Sequence, residues 1–177
     1  MKTKSVLFIL LTFLILLTSC EEKEKVWTEL PPATETGANT IGCMVDGQLW
    51  ATEKLPGYTL RPRMMATYTV YKTDSVVLEY YAESKDKSGI GFTVINPKAG
   101  ANDIYYLGCS FSSISFCDGL TALNISGLDI TKLDIENHIL SGTFNFQVHC
   151  SNDSSKKANL TDGRFDVFMD VMDWTNK

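Results

Sequence analysis

The side chains able to do chemistry in this chain of 177 residues are few: five cysteines, two histidines and 21 carboxylates. Apart from Cys20, the cysteines are Cys43, Cys109, Cys117 and Cys150. They include no C-x₂-C pair, and His138 and His149 are the only imidazoles, so the spacing assigns no metal site. In an exported chain, four cysteines suit two disulfides, with three connectivities open. Along a straight strand Cys109 and Cys117 would stand about 26 Å apart at roughly 3.3 Å per residue, so they can pair only if Ser112 and Ser113 turn the chain between them. That turn would staple a hairpin and leave Cys43 with Cys150, tying the first hairpin to a late strand. Buried free thiols are the alternative.

Catalysis finds little to work with. A Ser or Cys nucleophile needs a base that a third group orients. His149 falls on the polar face of its strand and His138 beside a turn, neither in a motif of that kind, so no catalytic residue is assigned. The carboxylates leave a glycosidase-type pair open, although Asp162, Asp166 and Asp170 read as turn and solvent-face residues. Asn152-Asp153 and Asp162-Gly163 lack the spacing of an EF-hand calcium loop. No motif calls for an organic cofactor.

Cys20 belongs to a different chemistry. Lys2 and Lys4 precede an apolar run from Val6 to Leu17 broken only by Thr12, the charge-then-apolar order of a secretory leader. The run is shorter than the roughly 20 residues that span a bilayer. Leu17-Thr18-Ser19-Cys20 resembles the bacterial lipobox, which implies a diacylglycerol on the Cys20 sulfur, cleavage before it and acylation of the new amino group. Multiple acyl chains hold a protein stably on a membrane where one does not. Cleavage takes 19 residues from 177 and leaves 158, enough for a single domain with a core. Two of the 16 basic side chains go with the leader, so 14 face 21 acidic ones, a formal charge of −7. This balance argues against nucleic acid as a partner and against lying flat on anionic lipid. The expected membrane contact is the lipid on Cys20, and the expected place is the outer membrane, at the cell surface or on the periplasmic face.

The elements that must carry these residues follow in three parts: a leader over 1–19, an acylated flexible tether over 20–39 and one domain over 40–177. The charged run Glu21–Lys25 and the polar stretch Pro31–Asn39 have too little apolar surface to offset chain entropy. The acidic residues after Cys20 also resemble the surface-export signal of Bacteroidota lipoproteins. From Thr40 the period is two. Ile41, Cys43 and Val45 alternate up to Asp46-Gly47, a type I′ hairpin signal, and Gln48–Ala51 returns. Ala66, Tyr68 and Val70 alternate, Val76–Tyr81 is β-branched and aromatic, and Ile90, Phe92 and Val94 share a face before the breaker Asn96–Gly100. Ile104–Leu107 reads as a short strand, and Leu120–Leu133 as one long strand or two divided at Ser126-Gly127. Phe144, Phe146, Val148 and Cys150 share a face, as do Phe165, Val167 and Met169. No window holds a helical period. The chain is expected to be all-β: an antiparallel β-sandwich or flattened barrel of about nine or ten strands.

Leu30–Cys43 (LPPATETGANTIGC), Val45–Trp50, Ile130–Asp134, Ile139–Phe146 and Thr161–Val167 (TDGRFDV) resemble the opening and closing segments of a family of small Bacteroidota lipoproteins of unknown function. The resemblance implies a lineage and a compartment, with no activity or site to carry over. Asn124, Asn152 and Asn159 open N-glycosylation sequons that have no bearing in a bacterial lipoprotein. Asp74-Ser75-Val76 resembles the O-glycosylation motif of exported Bacteroidota proteins, making Ser75 its candidate acceptor.

Two function classes remain. The first is a lipid-anchored envelope module, non-enzymatic, that binds a glycan, a protein or a small ligand or serves as a structural subunit. Trp50, Tyr58, Tyr71, Tyr81 and Tyr105 are its candidate stacking residues. The second is a carboxylate-dependent hydrolase at the cell surface, which requires two carboxyls facing each other in one cleft.

Overall fold

A computed structural model describes residues 27–52, 64–73, 75–84, 87–111 and 120–175. Within them the chain forms ten strands and no helix: β1 (Thr40–Val45), β2 (Gln48–Ala51), β3 (Met64–Val70), β4 (Val76–Glu83), β5 (Gly89–Ile95), β6 (Gly100–Ser110), β7 (Leu120–Asp134), β8 (Ile139–Cys150), β9 (Lys157–Phe168) and β10 (Asp170–Asp173). All belong to one sheet, in the order β10-β3-β4-β5-β6-β7-β8-β9-β1-β2, curled into a half-barrel.

The turns form where the sequence requires them. Asp46 and Gly47 both adopt positive φ, 48° and 82°, as a type I′ turn demands, and Val45 pairs with Gln48 across it. Ser126-Gly127 does not divide β7. Its two residues oppose the single residue Asp103, as the β6–β7 register shifts between Asn102 and Ile104. Gly127 has φ 116°, and a Cβ there would lie 2.3 Å from the Asn145 carbonyl oxygen, so the bulge admits only glycine.

One pairing departs from the antiparallel expectation. Strand β10 runs parallel to β3, Asp170 opposite Thr67 and Asp173 opposite Val70. Only Met169 separates β9 from β10, and its N–H is held by the His138 carbonyl at 2.9 Å. A single run of chain therefore pairs with β8 and β1 and then, one residue on, joins the far end of the sheet at β3. That step goes with a curl of the sheet that brings β9 against β3, so that a half-barrel forms in place of two stacked sheets.

The concave side is the core. Phe165 of β9 reaches across it to Tyr80 of β4 (ring centroids 5.4 Å apart) and Phe92 of β5 (5.8 Å), while Tyr80 stacks on Phe92 at 4.9 Å. Phe144 continues the row, 6.5 Å from Phe165 and 5.0 Å from Phe146. These aromatics supply large apolar burial with offset and tilted ring contacts. The Tyr80 hydroxyl is buried among them with no hydrogen-bond partner among the described residues, and burial pushes its pKa far up.

Candidate functional site

The outer face of β3–β6 carries a groove built by glycine. In Gly89-Ile90-Gly91-Phe92 the inward residues are large and the outward ones have no side chain. Gly91 pairs with Gly108 of β6, whose neighbours Leu107 and Cys109 also point inward. Two adjacent strands thus lack side chains side by side, and the space is taken by the rings of Tyr81 beside Gly91 and Tyr106 over Gly108. Register sets the walls. Tyr81 of β4 pairs with Gly91 on one side, and Tyr106 stands two residues before Gly108 on the other. Both tyrosines are exposed, 42% and 45%. The hollow encloses about 520 Å³, in the range of small-ligand sites.

Its polar lining residues are Glu79, Lys87, Thr93 and Ser110, joined by Met65 of β3. The Tyr81 hydroxyl donates to the Glu83 carboxylate, and that bond, followed by burial and the charge of Glu83, holds the phenol above its usual pKa. The Tyr106 hydroxyl lies over Gly108, where a Cβ would stand 2.7 Å away. Among the described residues that line the groove Glu79 is the single carboxylate, where a glycoside hydrolase uses a facing pair.

A second polar site lies at the other side of the sheet, around Asp166. The sequence places this residue on a solvent face, yet it is 1% exposed. Six donors converge on its carboxylate. Oδ2 accepts from Thr34 Oγ1 (2.6 Å), Thr36 N (3.0 Å), Thr36 Oγ1 (3.3 Å) and Ala38 N (3.1 Å), and Oδ1 accepts from Gly37 N (2.8 Å) and Ser141 Oγ (2.8 Å). Burial works to raise its pKa, but the donors from Thr34, Thr36, Ala38 and Ser141 outweigh it and hold the group at about 2. A carboxylate so held is a clamp and has no proton to give at neutral pH.

The clamp corrects the reading of residues 31–39 as tether. Thr34 to Ala38 is folded over Asp166, Pro31 is buried against Gly42 of β1, and the Trp27 indole donates to the Thr52 carbonyl at 2.9 Å. The composition of this stretch is polar because its polar groups are spent on one carboxylate. Residues 20–26 lie outside the described residues. The segments LPPATETGANT and TDGRFDV, 130 residues apart in chain order, are the two halves of this one hydrogen-bonded unit.

Other expectations fare unevenly. Cys43 and Cys109 are free thiols, both buried, so the pairings Cys43 with Cys150 and Cys109 with Cys117 are not formed. The curl of the sheet, not local strand geometry, decides which cysteines neighbour one another, and that is invisible in spacing. Cys150 is buried at the end of β8, and Cys20 and Cys117 lie outside the described residues. Trp50 is no surface platform: its indole donates to Ser88 Oγ at 2.8 Å and meets Phe111 edge-on at 5.4 Å. Tyr71 and Tyr105 are exposed alongside Tyr81, and Tyr58 lies outside the described residues. Ser75 is half-buried at the entry to β4, beside Tyr71 and Trp174. His138 sits in the β7–β8 turn with Nδ1 3.1 Å from the Met169 carbonyl, and His149 is half-buried. Asp162 and Asp170 are exposed. Among the described residues no three of His, Cys, Asp and Glu stand close enough to share a metal ion, and no helix is long and apolar enough to cross a membrane.

Comparison with protein-family models, with curated proteins and with solved structures finds no match for this chain. The groove therefore has to be read from its own residues. Tyr106, Gly91 and Gly108 were not singled out from the sequence. The signal was there: a glycine at alternate positions of a strand whose other face is Ile, Phe and Val.

Proposed function

We propose that the protein is a lipid-anchored envelope module, non-enzymatic, that binds a glycan in the groove between Tyr81 and Tyr106. The observation that carries this reading is the pairing of Gly91 with Gly108 between two exposed tyrosines. A pyranose ring offers flat C–H faces to aromatic rings and hydroxyls to polar groups at its edge. The groove offers both, with the Tyr81 and Tyr106 rings set over the glycine pair and Glu79, Lys87, Thr93 and Ser110 among its lining. A peptide adding itself as a strand needs a free sheet edge, and β4, β5 and β6 are each paired on both sides.

Attachment through an acylated Cys20 in the outer membrane of a Bacteroidota cell belongs to the same proposal, supported by the leader and the lipobox-like Leu17–Cys20. Intact mass of the native protein tests it: two or three acyl chains on Cys20 are expected, and an unmodified or uncleaved amino terminus would refute the anchoring. For the groove, the protein is screened against a glycan array and the best hit titrated by calorimetry. Tyr81→Ala and Tyr106→Ala are each expected to weaken binding by about 2- to 13-fold, the loss of one aromatic contact of about 0.5–1.5 kcal/mol, with the melting temperature unchanged. No saturable glycan, or a hit indifferent to both substitutions, sinks the assignment.

A further inference from the structure

Strand β1 and strand β6 are separated along the sheet by β7, β8 and β9, and each turns a buried cysteine inward. Cys43 of β1 and Cys109 of β6 are 0% and 7% exposed. Cys43 is the register partner of Trp50, and from Trp50 two separate contacts lead to Cys109. The indole ring meets Phe111, two residues beyond Cys109 on the same inward face, at 5.4 Å. The indole N–H reaches Ser88 Oγ at 2.8 Å, two residues before Ile90, the register partner of Cys109. Burial first, and Cys43 after it, raise the Cys109 thiol above its ordinary pKa.

We propose that Cys43 and Cys109, free thiols in this structure, are oxidised in the native protein to a disulfide by exchange with the disulfide of a dithiol oxidoreductase or of oxidised glutathione, and that the bond straps β1 to β6 across the core. One cysteine, as thiolate, attacks the oxidant's disulfide, forming a mixed disulfide and expelling one oxidant thiolate. The second cysteine then attacks the protein sulfur of that mixed disulfide and expels the other. The two protons lost by the cysteines end on the two oxidant thiols, so the protein pair is oxidised by two electrons and the oxidant reduced by two. Burial pushes both thiols up to about 12, and a buried thiol of that kind is a poor attacker. The bond therefore forms while the chain is folding, before Trp50 and Phe111 close over the pair.

The test uses full-length protein from two sources: isolated from the envelope of its native host, and refolded from denaturant in a mixture of reduced and oxidised glutathione. Each sample is denatured without reductant, alkylated, digested and analysed by mass spectrometry. The expected result is one species joining the Cys43 and Cys109 peptides, two hydrogens lighter than the pair and separated by reduction. In Cys109→Ala, Cys43 is expected to take the alkylating reagent. If Cys43 and Cys109 are alkylated in both wild-type samples, or are bridged to other cysteines, the proposal is overturned. A bridge in the refolded sample alone upholds the pairing and counts instead against an oxidising compartment.

Discussion

Replacing Asp166 by Asn keeps the shape and removes the charge that six donors share. An amide has one acceptor where the carboxylate has two. If its oxygen takes the Oδ2 position it keeps Thr34, Thr36 and Ala38 as neutral-acceptor bonds, and its NH₂ is then set against Gly37 N–H and Ser141. The Ser141 hydroxyl can turn and accept, but the Gly37 N–H cannot. An unpaired buried donor costs about 1–3 kcal/mol, and bonds to a charged group lose roughly half their strength on neutralisation, so Asp166→Asn is expected to cost about 4 kcal/mol. At about 2–4 °C per kcal/mol for a chain of this size, the melting midpoint should fall by roughly 8–16 °C. The wild type should also respond to acid. Its carboxyl titrates near 2 when folded and near 3.9 when unfolded, so the stabilisation is fully present above about pH 4 and is lost as pH falls toward 2. After discounting for solvent screening, it amounts to about 1–2 kcal/mol. Urea melts at pH 7, 4 and 2.5, followed by tryptophan fluorescence, measure both effects, and hydrogen exchange reads the amides of Thr36, Gly37 and Ala38. If Asp166→Asn moves stability by less than about 0.5 kcal/mol, or leaves those amides protected, the clamp is not what holds this segment.

The remaining expectations concern the core and the bulge. Phe165→Ala removes the ring that joins Tyr80, Phe92 and Phe144 and should cost about 3–5 kcal/mol by urea denaturation; a loss below 1 kcal/mol would mean the barrel does not depend on that bridge. Gly127→Ala sets a Cβ against the Asn145 carbonyl at positive φ, with an expected loss of at least about 2 kcal/mol; an unchanged midpoint would rule out the bulge geometry. Tyr80→Phe deletes a buried hydroxyl that has no partner among the described residues and should be neutral or stabilising by about 1 kcal/mol; marked destabilisation would reveal a partner for it.

What the sequence disclosed was local. The period-two runs located the strands because each buries one face, and Asp46-Gly47 located a hairpin because both residues tolerate positive φ. Three features were hidden for one reason, namely that they depend on which distant strands become neighbours. Asp166 alternates with Phe165 and Val167 and so reads as outward. Nothing local says that Thr34–Ala38 will cover it. Trp50 reads as an exposed aromatic until Phe111 arrives from β6. Cys43 and Cys109 are far apart in the chain, and their spacing does not say that both turn into the same core. The groove is the intermediate case. Gly91 and Gly108 are plain in the sequence, and their meaning appears only when the register sets them side by side.

The single-residue step at Met169 has a consequence for how this molecule comes into being. The first described strand finds a sheet partner in β9, and β3 finds its outer neighbour in β10, each more than a hundred residues later in the chain. During vectorial synthesis or translocation the seam at β3 therefore stays open until residues 170–173 have emerged, and its backbone is a ready template for a stray strand. A chain lacking Asp170–Asp173 should oligomerise through that seam, so β10 guards the β3 edge against stray pairing.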